Sequence, residues 1–292
     1  MNRTLVGILC GLGAASIWGG MYVVSKVVLE IIPPFSLVTL RLILGAITLA
    51  IVLLIRGIPH ISSRQLWQVL GVGFVGYGVS LSLQFLGTKL STAANGSLVT
   101  SATPAFVLLF AWILLKEKIT GRRLFALFLA TLGVIAVVDP RSSQLNPDLF
   151  LGNLLLIGAA ITWALYSVLV RKVTQNIDVL LFSLIAFVGG LPVSAPLGAW
   201  ELSTAGVGQI SLGVVGGILF LGVISTALAM FLWNTSFAYV DANLASLTFF
   251  AQPLVGTLLG WLFLKEKITL LFLLGGLLIG IGLVISSREP SP

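Results

Sequence analysis

One stretch of this chain occurs twice. Residues 116–120 read Lys-Glu-Lys-Ile-Thr, and residues 265–269, which lie 149 positions later, read the same. A second motif, Gly-Ala-Ala-x-x-Trp, stands at 13–18 and again at 158–163, which is 145 positions later. One copy has therefore gained four residues between the two motifs. Because motifs repeated in the same order indicate repeated structural units, we expect a tandem duplication of a unit of about 145 to 150 residues.

The scarcity of charge excludes a water-soluble fold. Only 9% of the 292 residues are charged and 58% are hydrophobic, and the mean hydropathy is +1.13. Soluble domains carry about 25% charged residues. The net charge of +7 does not predict binding to nucleic acid, because the basic residues stand in small groups between apolar runs. The chain is therefore expected to be an all-α integral membrane protein.

Ten apolar runs are long enough to cross a bilayer, which takes about 20 residues per helix. We expect transmembrane helices at about 4–28, 35–55, 66–87, 95–115, 122–138, 149–170, 178–199, 212–236, 243–263 and 269–286. Five helices then fall in each repeat, at 1–145 and 146–292. Since five is odd, the second repeat enters the membrane from the opposite side. Such inverted repeats are typical of transporters.

The basic residues in the loops predict the orientation in the membrane. With the N-terminus in the cytoplasm, ten Lys and Arg residues lie in cytoplasmic segments and five lie outside. Positive residues concentrate on the cytoplasmic side of membrane proteins, so both termini are expected there. The single Cys10 and the single His60 lie in different segments. We therefore expect no disulfide framework, no metal site and no cofactor.

The two ordered sets of motifs resemble those of a known family. Each half has Gly-Ala-Ala-x-x-Trp in its first helix, a proline in its fourth helix (Pro104 and Pro253) and an acidic turn before its fifth helix. This pattern, which covers essentially the whole chain, is similar to the EamA-type repeats of the drug/metabolite transporter superfamily. Among these it looks most similar to the YddG-type aromatic amino-acid exporters. The turn commonly written Gly-Glu in the family is Lys-Glu here, at 116–117 and 265–266.

This resemblance implies a ten-helix carrier of the bacterial inner membrane that alternates access to a central cavity and exports amino acids, aromatic ones in particular, or related small metabolites. Its partners would be a small-molecule substrate and the lipid bilayer, as a monomer or a homodimer, and no nucleic acid. A proton-coupled drug or metabolite antiporter is one alternative, and a nucleotide-sugar or lipid-linked sugar translocator is another. An enzyme is not expected, because the spans offer no His-Asp or paired-carboxylate set.

Two tryptophans at equivalent positions of the repeats are the leading candidates for a substrate site. Trp18 and Trp163 lie roughly 20 Å into their spans at about 1.5 Å per residue, deeper than the interfacial belt that collects most tryptophans in membrane proteins. We expect them to converge near the midplane, where carriers bind substrate. A tryptophan face stacks on aromatic rings and attracts an ammonium group, which suits an aromatic amino acid.

Other polar and aromatic side chains inside the spans are expected to face the same cavity, because polar groups are costly in lipid. The full set of expected substrate-binding residues is Trp163, Trp18, Tyr77, Gln84, Ser82, Ser101, Trp233, Asn234 and Gln252. Pro104 and Pro253 interrupt the hydrogen-bond ladders of their helices, so we expect them to permit bending during gating.

Arg41 is a charge inside the second span, and the matching region of the seventh helix has no counterpart. It is expected to pair with Glu30, to extend to the outer surface or to contact a substrate carboxylate. No Asp or Glu lies at the middle of a span. A membrane-embedded carboxylate or histidine is the usual proton carrier of an antiporter. We therefore expect transport without an obligatory buried proton carrier.

Overall fold

The computed structural model of the chain describes residues 2–91, 99–100, 103–138, 147–264 and 270–287. All regular structure in these residues is helical. The described parts form ten helical rods: α1 Arg3–Leu29, α2 Pro34–Arg56, α3 Ser63–Leu90, α4 Thr103–Leu115, α5 Gly121–Val138, α6 Pro147–Val173, α7 Val179–Thr204, α8 Leu212–Tyr239, α9 242–264 and α10 Leu270–Ser287.

Six stretches of helix are long and apolar enough to cross a membrane: Arg3–Leu29, Pro34–Arg56, Ser63–Leu90, Phe150–Asn176, Val179–Thr204 and Leu212–Tyr239. The expectation of a multi-pass helical membrane protein is therefore confirmed. The six agree with the corresponding predicted spans to within about six residues at each end. Membrane crossing by the other four rods stays a prediction.

Local sequence explains where several helices begin and end. Ser62 and Gln65 form a capping box at the start of α3, in which each side chain bonds the backbone N–H of the other residue. Pro34 is the first residue of α2, where its missing N–H is not needed. Gly57 follows α2 with a φ of 95°, a conformation that glycine adopts without strain.

Three helices contain π-helical stretches that the sequence pattern does not reveal. These stretches are Phe74–Ser80 in α3, Ala111–Leu115 in α4 and Phe220–Leu228 in α8. A shift of 149 positions carries the α3 stretch onto 223–229, so the stretches of α3 and α8 overlap in the repeat. π-helical stretches are rare in proteins, and those that do occur often lie at functional sites. In α9 a 3-10 turn at Thr248–Phe250 precedes Pro253, which accommodates the proline near the start of the resumed α-helix.

The helices pack in a pattern that repeats between the two halves. α2 packs along α7, and α5 packs along α10. α1 contacts α8 and α9, just as α6 contacts α3 and α4. If each helix of the first half is exchanged with its equivalent in the second half (α1 with α6, and so on to α5 with α10), the same set of helix contacts results. The core therefore lies between the halves, because α1 is buried mainly by the second half and α6 mainly by the first.

Glycines allow the closest approach, between α3 and α7. A Cβ atom on Gly73 would collide with the backbone of Ala186, and one on Gly189 would collide with the backbone of Leu70. Small residues at such positions let helix backbones approach closely in membranes. This packing places the π-helical stretch of α3 directly against α7.

Candidate functional site

Trp18 of α1 and Trp163 of α6 meet at the centre of the bundle. Their ring centroids lie 5.6 Å apart with an interplanar angle of 80°, an edge-to-face arrangement that aromatic rings favour. Trp233 of α8 completes the cluster, 5.3 Å from Trp18 and 6.4 Å from Trp163. All three side chains are buried. The structure therefore brings the two equivalent tryptophans together, as the repeat predicts.

A small, partly enclosed cavity of about 20 Å³ adjoins this pair. Its apolar wall includes Trp18, Trp163, Met21, Met230 and Phe249, and its polar side chains are Ser80, Gln84, Thr100, Thr103 and Gln252. The lining comes from α1, α3, α6, α8 and α9 and from the segment around α4. Both halves of the chain thus contribute to one cavity that is mainly apolar with a few polar groups, the usual character of a small-molecule site.

The indole N–H groups of the two tryptophans differ in their bonding. Trp18 Nε1 donates to the carbonyl oxygen of Ser225 at 3.0 Å, within the π-helical stretch of α8. Trp163 Nε1 is buried and has no hydrogen-bond partner among the described residues. A buried donor without a partner costs about 1–3 kcal/mol. A cavity-lining residue, Trp163, therefore carries a donor that a ligand with an acceptor oxygen could satisfy.

Tyr77 and Asn234 belong to a closed hydrogen-bond network outside the cavity lining. The hydroxyl groups of Tyr77 and Tyr166 bond to each other, and Tyr166 donates to Asn234 Oδ1 at 2.6 Å. Asn234 Nδ2 donates to Ser183 Oγ at 2.9 Å and to the Tyr77 hydroxyl at 3.2 Å. These groups satisfy one another and join α3, α6, α7 and α8, and substrate contact by Tyr77 and Asn234 stays a prediction.

Of the other predicted site residues, some line the cavity and some are buried elsewhere. Gln84 and Gln252 line the cavity, and Gln84 also donates to the Tyr22 hydroxyl at 2.9 Å. Trp233 is fully buried and donates to Ser167 Oγ at 3.1 Å, and Ser82 is buried; neither lines the cavity. Ser101 lies outside the described residues. Pro104 and Pro253 are buried, and their part in gating stays a prediction.

Arg41 neither pairs with Glu30 nor extends to the outer surface. Its side chain is fully buried, and Glu30 is exposed. Arg41 Nε donates to Thr226 Oγ1 at 2.7 Å and Nη2 donates to Ser225 Oγ at 3.2 Å. Helix α2 is close enough to α8 for the guanidinium to fill the space between them, so the side chain turns inward.

Sequence reasoning missed several residues of the cavity and its surroundings. Met21 and Phe249 line the cavity, but an apolar residue in an apolar span gives no signal of its own. Tyr22 and Tyr166 do carry a signal. They follow Trp18 and Trp163 by four and three positions, a spacing that places side chains on the same helix face.

Two cations at equivalent positions of the repeats hold the ends of neighbouring helices. Lys26 Nζ donates to the carbonyls of Thr88 and Ser91 at 3.2 and 2.8 Å. Arg171, which lies 145 positions after Lys26, donates to the carbonyl of Ala238 at 2.8 Å. Cations are favourable at helix C-termini, where carbonyls lack partners. Each cation thus ties the first helix of its repeat to the end of the third helix.

An acidic residue of the α4–α5 loop contacts the start of α9. Glu117 accepts hydrogen bonds from the backbone N–H of Ala242 at 3.0 Å and from Asn243 Nδ2 at 2.7 Å. Beside it, Arg123 forms a salt bridge of 3.2 Å with Asp241. Partial burial raises the pKa of the Glu117 carboxyl, and nearby Asp241 raises it further, while the hydrogen bonds and Arg123 act in the opposite direction. This contact joins the two halves at one end of the bundle.

The helical bundle and its central cavity define a multi-pass membrane transporter. Among the described residues no group of three or more His, Cys, Asp or Glu residues is placed to hold a metal ion. The EamA-like transporter family model matches the chain twice, at residues 5–139 and 150–288. The chain therefore belongs to the EamA-like transporter family, which lies within the drug/metabolite transporter superfamily.

Relatives span nearly the whole chain. The uncharacterized transporter YetK of Bacillus subtilis is 26% identical over 275 residues, which cover 92% of this chain and 83% of the relative. An uncharacterized transporter of Archaeoglobus fulgidus is 27% identical over 93% of this chain and 95% of its own. Protein PecM of Dickeya dadantii is 26% identical over a match that covers 94% of this chain and 88% of PecM. The family and these relatives support transport rather than enzymatic activity.

The fold also matches a solved structure. A crystal structure of a protein that is 20% identical superposes with a TM-score of 0.79, and the match covers 96% of each chain. At this level of identity the match shows the fold alone. It supports the arrangement of helices around the cavity without naming a substrate.

Proposed function

We propose that this protein exports amino acids, aromatic ones in particular, or related small metabolites through its central cavity by alternating access. The observation that carries the proposal is the wall formed by Trp18 and Trp163, which combines two indole faces with a Trp163 N–H that has no partner in the part of the chain that the structure describes. An aromatic side chain would stack on the indole faces, and a carboxylate would accept from this N–H. The predominantly apolar lining suits a substrate with one large apolar part.

The proposed membrane arrangement is ten transmembrane helices in two inverted repeats, 1–145 and 146–292, with both termini in the cytoplasm of a bacterial inner membrane. Three observations support it. The family model matches once in each half, the helix contacts repeat under exchange of the halves, and Lys26 and Arg171 make equivalent contacts. Five spans in each repeat invert the second copy, which is the geometry that alternating access uses.

Transport without an obligatory buried proton carrier is the favoured mechanism. The six clear spans contain one carboxylate, that of Glu201 near the end of α7, where it accepts from the backbone N–H of Ser36 at the start of α2. No carboxylate or histidine of the described residues lines the cavity. The substrate gradient would then drive net flux. Proton-coupled antiport has less support, since it normally uses such a group.

A nucleotide-sugar or lipid-linked sugar translocator also has less support. Phosphate groups call for several Lys or Arg side chains around the ligand. Arg41 is the one basic residue within the six clear spans that is buried near the cavity among the described residues. A single guanidinium fits one carboxylate better than a diphosphate.

The test is uptake of labelled tryptophan, phenylalanine and alanine into liposomes that contain the purified protein, with equal pH on both sides. We expect uptake of the two aromatic amino acids, little uptake of alanine, and loss of uptake in Trp163→Ala. Trp67→Ala is the matched control, because Trp67 is exposed at 72% and lies outside the cavity lining. Absence of uptake for all three amino acids, or uptake only under a pH gradient, would contradict the proposal.

A further inference from the structure

Arg41 is a buried cation for which the described residues supply no anion. Its side chain is fully buried, and its hydrogen bonds go to Thr226 Oγ1, Ser225 Oγ and the sulfur of Met21. The guanidinium carbon also lies 4.8 Å from the centre of the Phe85 ring. None of these groups carries negative charge. An uncompensated buried charge is strongly unfavourable, so the guanidinium would gain from an anion brought by a ligand.

The weakest of these contacts is with a residue of the cavity wall. Arginine has five N–H donors, and among the described residues Nη1 of Arg41 bonds only the thioether sulfur of Met21, at 3.6 Å. Met21 also lines the cavity, so its side chain contacts both the guanidinium and the cavity. A thioether is a weak acceptor, and methionine adapts readily to a new environment. Exchange of the sulfur for a carboxylate oxygen would therefore strengthen the bonding of Nη1.

A chain of contacts joins Arg41 to the aromatic wall. Ser225 accepts from Arg41 Nη2 through its hydroxyl group and from Trp18 Nε1 through its carbonyl. Trp18 and Met21 lie three residues apart and thus on one face of α1. A ligand stacked against Trp18 would hold a carboxylate near Met21 and Arg41. The matching region of α7, Leu184 to Val188, has no basic residue, so among the described residues only one side of the site is cationic.

We infer that Arg41 selects substrates that carry a carboxylate, by replacing its bond to the Met21 sulfur with a bond to the substrate anion. This inference rests on the proposed function and names the substrate class of the same cavity. A guanidinium matches a carboxylate with two parallel hydrogen bonds, whereas a lysine ammonium acts as a point charge. Aromatic amines that lack the carboxylate are therefore excluded as good substrates, and aromatic carboxylates that lack the amine are accepted.

The test compares three labelled compounds in liposomes: tryptophan, indole-3-propionate, which lacks the amine, and tryptamine, which lacks the carboxylate. Wild type is expected to transport the first two and to discriminate against tryptamine. Arg41→Met should lose the preference for carboxylates by about 30-fold or more, and Arg41→Lys should lose part of it. Arg64→Met is the matched control, because Arg64 is exposed and lies outside the cavity lining.

A binding measurement covers the case in which Arg41→Met does not fold. In detergent, indole-3-propionate should raise the melting temperature of wild type and of Met21→Ala, because the thioether is displaceable. Arg41→Lys should show a smaller rise. If chloride at the same concentration gives an equal rise in wild type, Arg41 holds an inorganic counter-ion and the inference is wrong.

Failure of this inference is distinguishable from failure of the proposed function. Equal transport of tryptamine and tryptophan by wild type would overturn the role of Arg41 and leave aromatic transport through the cavity in place. The same holds if Arg41→Met keeps the full preference for carboxylates. If wild type transports none of the three compounds, the proposed function itself fails.

Discussion

Trp18 and Trp163 are equivalent residues of the two repeats, yet the described structure gives a hydrogen-bond partner to only one of their indole N–H groups. Trp18 Nε1 bonds the carbonyl of Ser225 in the π-helical stretch of α8. The equivalent position in α3 is Gly76, and there the ring of Tyr166 packs against the glycine. The two rings thus pair across the repeats, and of their two N–H groups only that of Trp163 lacks a partner among the described residues.

This difference predicts opposite outcomes for two matched substitutions. Trp18→Phe removes the bond to Ser225, so the free energy of unfolding should fall by about 1 kcal/mol or more. Trp163→Phe removes no hydrogen bond within the described protein, so stability should change little while the KM for tryptophan rises. Thermal unfolding in detergent and uptake in liposomes measure the two effects. Equal loss of stability in both variants would show that the Trp163 N–H already has a partner.

The tyrosine–asparagine network predicts a purely structural effect. Tyr166→Phe leaves Asn234 Oδ1 buried without its donor, which should lower the free energy of unfolding by about 1–3 kcal/mol. Tyr239→Phe is the matched control, because Tyr239 is 42% exposed at the end of α8. Thermal unfolding in detergent measures both. A Tyr166→Phe protein that is as stable as the control but has lost substrate binding would instead place this hydroxyl in the site.

The sequence predicted the general architecture better than the site. Apolar runs predicted the helices, and duplicated motifs predicted the repeats. The meeting of Trp18 with Trp163 was predictable because the repeat places both residues at the same depth of equivalent helices. The partners of Tyr77 and Asn234 could not be predicted, since a polar residue in a span has the same signal whether it faces a cavity or another helix. Arg41 is a similar case, because its direction depends on the space between α2 and α8.

Close packing of α3 on α7 predicts different effects for substitutions at two glycines that lie two residues apart in α3. A Cβ atom on Gly73 would collide with the backbone of Ala186, whereas one on Gly71 has nothing within 4 Å. Gly73→Ala should therefore destabilise the protein by about 1–3 kcal/mol, and Gly71→Ala should be neutral or slightly stabilising, since alanine favours helix. Melting temperatures of the two variants in the same detergent measure the difference. Equal values would show that α3 and α7 separate readily.

The proposed orientation predicts which loops are accessible from outside the cell. His60 lies between α2 and α3 and Gln209 lies between α7 and α8, and both are exposed. In a Cys10→Ala background, a membrane-impermeant maleimide added to intact cells should label Gln209→Cys and leave His60→Cys unlabelled. Both should react after permeabilisation. The reverse pattern in intact cells would place the termini outside.

The contact between Glu117 and the start of α9 predicts that transport depends on pH. Burial raises the pKa of Glu117, so the state with this contact formed binds a proton more tightly than a state with Glu117 in solvent. By linkage, the contact is stabilised at pH values below the normal pKa of glutamate. This stabilisation is lost as the pH rises through the raised pKa of Glu117. Acidification should therefore favour the joined state of the α4–α5 loop and α9, and slow transport.

The measurement is the rate of tryptophan exchange in liposomes with equal pH on both sides, so that pH changes the rate and supplies no driving force. Wild type should slow as pH falls through the raised pKa of Glu117. Glu117→Gln should lose this dependence, because a neutral amide cannot titrate; Asn243 can turn its amide to accept from the new side chain, since its Oδ1 has no partner among the described residues. Glu30→Gln, which changes an exposed carboxylate, should behave as wild type. Faster exchange at low pH in wild type would contradict the sign of this linkage.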